Sequence, residues 1–98
     1  MLPRIKKIVD IEPYKVQCLW TTGEIKTIDF SFFLQDYKDK PQFVFAKLLD
    51  KSIFKNVRLD EVAKTLCWDN LTTMRDYDGI VKPAPLDFCP DVLYSWAN

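Results

Sequence analysis

Residues 14–20 alternate: Tyr14, Val16, Cys18 and Trp20 fall on one side of the chain, and Lys15, Gln17 and Leu19 on the other. Side chains along a strand point to its two faces in turn, so this segment predicts a half-buried strand. Thr21-Thr22-Gly23-Glu24 interrupts the pattern, with Gly23 able to take the positive φ of a tight connection, and residues 25–30 resume it with Ile28 and Phe30 inward. The two segments predict a hairpin. Upstream, residues 4–11 carry β-branched Ile5, Ile8, Val9 and Ile11 and give way to Pro13, which lacks a backbone donor and marks a turn. They predict a third strand of the same antiparallel meander.

Residues 31–40 read as a loop, part of which folds back on the core because it holds Phe32, Phe33 and Leu34. Pro41 suits the first position of a helix, and Phe45, Leu48 and Leu49 recur at i, i+3 and i+4, which predicts a helix ending near residues 50–52. Its narrow apolar stripe would lie on one face of the sheet. Residues 54–59 read as a fourth strand with Val57 and Leu59 inward, Asp60-Glu61 as a turn, and residues 62–68 as a fifth strand with Leu66 and Trp68 on one face. Asp78-Gly79 is a two-residue hairpin signal, whereas Pro83 and Pro85 forbid regular structure just after it. Pro90 starts a short closing helix with Leu93, Trp96 and Ala97 on its packed side. The expected architecture is α+β, an antiparallel sheet in β-β-β-α-β-β-α order with the helix packed on one face, in a single domain spanning residues 1–98.

Composition narrows the classes. At 98 residues and 48% hydrophobic content the chain can bury a core without disulfides or metal. Fourteen basic residues balance fourteen acidic ones, so no net field draws nucleic acid or an acidic membrane surface. Asp10, Glu12 and Lys15 break the start before any apolar run develops, which argues against a signal peptide, and no window has the length of a membrane span. A cytoplasmic location is expected. The cysteines, Cys18, Cys67 and Cys89, lack paired spacing and read as small core hydrophobes.

A set of short motifs runs through nearly the whole chain: the Thr-rich hairpin tip with Gly23-Glu24, then Ile28-Asp29-Phe30, then Phe54, Val57 and Leu59, then Thr65, Leu66 and Trp68, then Asp87, Phe88, Pro90, Asp91, Leu93 and Tyr94. Collectively these resemble the domain-of-unknown-function 2442 family of small bacterial proteins. In typical members the tryptophan is followed closely by the D-x-x-P-D segment, whereas residues 70–85 intervene here. The resemblance implies no activity; it implies a gene neighbourhood with another small protein, an antitoxin-like arrangement. Trp68, Asp87, Pro90, Asp91, Leu93 and Tyr94 are its motif residues in this chain.

No constellation points to catalysis. Asp76-Tyr77-Asp78-Gly79 resembles a fragment of a calcium loop, but Met74 and Pro85 stand where acids are required, and a plain hairpin turn is the stronger reading. Zinc and a cysteine nucleophile both lack the histidine that would usually help them, since the chain has none. Cys89 precedes a helix start, where capping or packing explains it better than reactivity. Asp87 and Asp91 could divide acid and base duties, yet capping the closing helix is their ordinary work. Arg4, Lys6, Lys7, Lys15 and Lys26 lie on the first three strands with Tyr14 and Trp20 nearby, but alternation turns the aromatics inward and the lysines to water.

The expected function is therefore that of a protein–protein interaction module, neither enzyme nor cofactor carrier, with a nucleic-acid-binding or antitoxin-like regulatory role as the alternative. The expected partner is another protein or a second copy in a homodimer; nucleic acid is disfavoured and a membrane is not expected. Tyr94, Trp96 and Tyr77 are the candidate interface residues, since aromatics near a loop or terminus are hard to cover and interface cores favour them.

Overall fold

In a computed structural model, which describes residues 2–75 and 77–98 and only the backbone of Met74, the meander forms as three strands: β1 (Ile5–Glu12), β2 (Lys15–Trp20) and β3 (Ile25–Asp29). They pair antiparallel in that order, with Val16 opposite Ile11 on one side and Ile28 on the other. Val16, Cys18, Trp20, Ile28 and Phe30 are all fully buried, as the alternation predicts. Gly23 closes the hairpin at φ +90°.

A second antiparallel sheet follows in the order β4 (Arg58–Asp60), β5 (Thr65–Arg75) and β6 (Val81–Asp87). Between the sheets in sequence lie two single-turn helices, α1 (Ser31–Leu34) and α2 (Lys51–Phe54), with 3-10 turns at Gln35–Tyr37 and Val44–Leu49; α3 (Pro90–Trp96) closes the chain. One core joins all of these. Trp20, Ile28 and Phe30 come to it from the first sheet, Leu66, Trp68 and Leu86 from the second, and Leu34, Leu48, Phe54 and Leu93 from the helical segments. The α+β class and the leading order of elements are as expected. No helix among the described residues is long and apolar enough to cross a membrane.

The departures have local causes. The strands divide between two sheets, and a sixth strand runs through Pro83 and Pro85. β6 is an edge strand, and two residues of one parity can both lack an N–H there if that side faces away from β5, while Ala84 and Leu86 of the other parity are buried. The helix expected from Pro41 is a 3-10 stretch, Val44–Leu49, followed by α2. Asp50 separates them, because its extended backbone (ψ 117°) ends the first and its carboxylate accepts from the Ser52 N–H at 2.9 Å to start the second. The apolar spacing Phe45–Leu48 fits a 3-10 turn, where i and i+3 eclipse. Val62, assigned to the fifth strand, is 94% exposed in the turn before β5, where Asp60 accepts from the Val62 and Ala63 N–H groups. Cys18 and Cys67 are core residues; Cys89 is exposed, so the packing reading fails for it, and it caps α3 through its backbone carbonyl, which accepts from the Leu93 N–H at 3.1 Å, with no hydrogen bond from its side chain. Burial pushes the Cys18 thiol up to about 12.

Two buried tryptophans differ in one hydrogen bond. Trp68 Nε1 donates to the Phe54 carbonyl at 3.0 Å, whereas Trp20 Nε1 has no partner among the described residues. A buried unpaired donor costs about 1–3 kcal/mol, which offsets part of the packing lost when the ring shrinks. Trp68→Phe is therefore expected to destabilise more than Trp20→Phe, by about 1–2 kcal/mol, or roughly 5–15 °C in a calorimetric midpoint for a domain of this size. Equal midpoints for the two variants would contradict the assignment.

Candidate functional site

The site is built on α1. Phe30, just before it, and Leu34, at its end, are both fully buried, and the Leu34 N–H donates to the Phe30 carbonyl at 2.8 Å. Two residues along a helical turn rotate about 200°, so anchoring Phe30 and Leu34 inward turns Phe32 outward. Phe32 is 79% exposed. Asp29 fixes the start of the turn by accepting from the Ser31 N–H at 2.9 Å and from the Ser31 hydroxyl at 2.5 Å.

Phe32 stands between two open clefts. The first, of about 370 Å³, is lined by Asp29, Phe32, Phe33, Asp36, Trp96 and Asn98. Its inner wall is packed ring on ring: Phe33 and Trp96 lie 5.0 Å apart with their planes 31° from each other, and Phe45 and Phe88 pack on Phe33 at 5.2 and 5.8 Å. Asn98 is held by exchanging backbone hydrogen bonds with Thr27 on the edge of β3. The second cleft, of about 410 Å³, lies between Phe32, Tyr14 and Leu49, with Asp29, Ser31, Gln35 and Lys38 around it. Tyr14 there has φ +66°, unusual for an aromatic residue; its hydroxyl donates to the Leu49 carbonyl, and its own carbonyl accepts from the Phe30 N–H. No cysteine lines either cleft; Asp29 and Asp36 line the first, and Asp29 with Lys38 the second.

Hydrogen bonds from the Ser31 hydroxyl and backbone hold the Asp29 carboxyl below the usual carboxylate range. A carboxyl with a lowered folded pKa adds stability above its unfolded pKa of about 3.9, and that contribution is lost as pH falls through the folded value. Ser31→Ala is expected to raise the Asp29 midpoint in a carboxyl carbon NMR titration. An unchanged midpoint would show that Ser31 does not hold the charge.

The residues singled out from sequence are dispersed. Tyr94 is half-buried, edge-on to Trp20 at 5.0 Å, its hydroxyl donating to Glu24 at 2.7 Å and its ring beneath Lys26 Nζ at 4.4 Å. Trp96 is half-buried and forms a wall of the first cleft. Tyr77 is fully exposed at the turn of the β5–β6 hairpin, beside exposed Ile80 and Val81, and the Asp78 carboxylate accepts from the Ile80 N–H there. Asp76, weighed in the calcium reading, lies outside the described residues. Of the motif residues, Trp68 and Leu93 are core, and Pro90 opens α3. Asp91 lies in the first turn of α3, paired with Arg4 at 2.9 Å, but Asp87 ends β6 opposite Cys67 and caps nothing in α3. From sequence Phe32 and Phe33 count among the aromatics that a loop leaves hard to bury, but nothing there joins them to Asp29 and Asp36. Their spacing, i, i+3, i+4 and i+7, is that of one helical face, which a loop assignment for residues 31–40 hid.

No protein-family model and no curated protein matches the chain. Among solved structures it is similar to the crystal structure of a "putative DNA binding protein" from Nitrosomonas europaea ATCC 19718, at 22% identity and a TM-score of 0.58, over 96% of this chain and 48% of that one. The likeness is one of fold, and this chain spans about half the length of its neighbour. The expectation that disfavoured nucleic acid is corrected by this finding, because the fold occurs in a protein named for DNA binding. A zero balance of charge is a sum and does not describe where charges stand; Lys6 and Lys7 are both exposed on β1.

Proposed function

We propose that this domain is an interaction module that binds a protein partner through the surface centred on Phe32. The observation that carries the reading is a phenylalanine 79% exposed on an anchored turn, between two clefts whose walls include Phe33, Trp96, Tyr14 and Leu49. Single exposed apolar residues are ordinary. Here the ring is continuous with aromatic walls already fixed by the core, so a partner that covered it would bury apolar area with little ordering of this chain. The motif set also leads us to propose membership of the domain-of-unknown-function 2442 family.

A photoreactive benzophenone residue at position 32, with one at the still more exposed position 62 as control, tests this in the native cell. The expected result is a discrete adduct from position 32 alone that protease removes and nuclease does not. Adducts of the same pattern from both positions would contradict it. Association with nucleic acid is the second reading, favoured by the name of the structural neighbour and by exposed Lys6 and Lys7. It predicts a mobility shift with DNA in near-physiological salt that Lys6→Glu with Lys7→Glu abolishes.

A further inference from the structure

We infer that the cleft walled by Phe32, Phe33 and Trp96 receives an arginine side chain of the protein partner. The inference rests on the reading that this surface binds protein, and adds the chemistry of what enters. The first argument is charge. Two carboxylates, Asp29 and Asp36, line this cleft and no lysine or arginine does, although the chain as a whole is balanced. Both hydrogen bonds from Ser31 fall on Asp29 Oδ1, and among the described residues neither Asp29 Oδ2 nor the Asp36 carboxylate has a hydrogen-bond or ion-pair partner. Lys15, opposite Asp29 in the β2–β3 register, acts on its charge but does not line the cleft.

The second argument is shape. A cation is drawn to the faces of aromatic rings, and a guanidinium can stack on such a face while its edge forks to a carboxylate; an ammonium cannot do both. Phe33 and Trp96 lie at 31° to each other and are fixed from behind by Phe45, Phe88 and Phe30, so the walls are set before anything binds. A volume of about 370 Å³, at the small end of the range for ligand pockets, has room for one long side chain with its flanking backbone.

The chain's three tryptophans supply the test, since Trp20 and Trp68 are buried and only Trp96 faces the cleft. N-acetyl-arginine amide is titrated into the nitrogen-15-labelled protein while the three indole N–H signals are followed. The expected result is a saturable shift of the Trp96 signal in the millimolar range with the other two unmoved, no shift with N-acetyl-citrulline amide, and about three- to five-fold weaker binding in Asp36→Asn. Unmoved Trp20 and Trp68 signals in that variant establish that it is folded. A Trp96 signal that ignores arginine amide, answers citrulline equally, or binds spermidine more tightly would overturn the inference. A protein adduct at position 32 without any arginine response keeps the interaction reading and refutes this one; an arginine response without a protein adduct refutes the partner assigned to the cleft.

Discussion

Trp68→Ala is expected to lower the unfolding free energy by about 3–5 kcal/mol and the melting midpoint by roughly 15–30 °C. The ring is 1% exposed, lies 5.6–5.8 Å from the rings of Phe30, Phe54 and Phe88, and ties β5 to α2 through its hydrogen bond to the Phe54 carbonyl. Truncation removes those contacts, opens a cavity among side chains drawn from both sheets, and takes from the Phe54 carbonyl one of its two hydrogen bonds, the other coming from the Val57 N–H at 3.2 Å. Domains of this size are stable by about 5–15 kcal/mol, so the loss is a large share of the whole. Calorimetry or chemical denaturation checks it. A variant melting with the parent would mean that the ring is not in the core and that the β5 register is off by one residue.

Phe30→Ala should cost a similar amount, about 3–5 kcal/mol, for a different reason. Phe30 is fully buried and touches Phe54, Trp68, Phe88 and Trp96, so it joins the core to the back of the first cleft. Because Phe30 and Trp68 are in contact, the double variant should lose less or more than the sum of the singles, with a coupling of about 0.5–3 kcal/mol. Strict additivity would separate the two rings. The same substitution should move the Trp96 indole signal, since it removes one of the rings behind that wall.

Period-two alternation made β1 to β3 readable, because each strand has one face in the core and one in water, and Gly23 marked the turn between two of them. The same rule placed Trp68 and Leu66 inside. It fails at β6, where prolines alternate with Ala84 and Leu86, because a proline breaks a central strand but is tolerated on an edge. It fails again from Pro41, where the i, i+3, i+4 spacing of Phe45, Leu48 and Leu49 predicts an α-helix although a 3-10 turn satisfies the Phe45–Leu48 step. The candidate site was hidden by a third ambiguity. Residues 29–36 show a helical face, but α1 is only one turn long and the 3-10 turn that follows is as short. A pattern so brief competes poorly with the abundance of polar residues on either side of it. Tyr94 illustrates the converse: nearness to the end of the sequence suggested an uncovered ring, and Glu24, Lys26 and Trp20 engage it across the fold.

If Phe32 serves a partner and not the fold, Phe32→Asp should remove the partner and leave the fold. An exposed side chain on an anchored turn should tolerate the change within about 0.5 kcal/mol. The measurement is co-purification at endogenous level of the protein that cross-links from position 32, comparing the parent with Phe32→Asp while both melting midpoints are recorded. Loss of that protein from a variant that melts with the parent is expected; retention of it, or a variant that no longer folds, would show that Phe32 does not hold a partner.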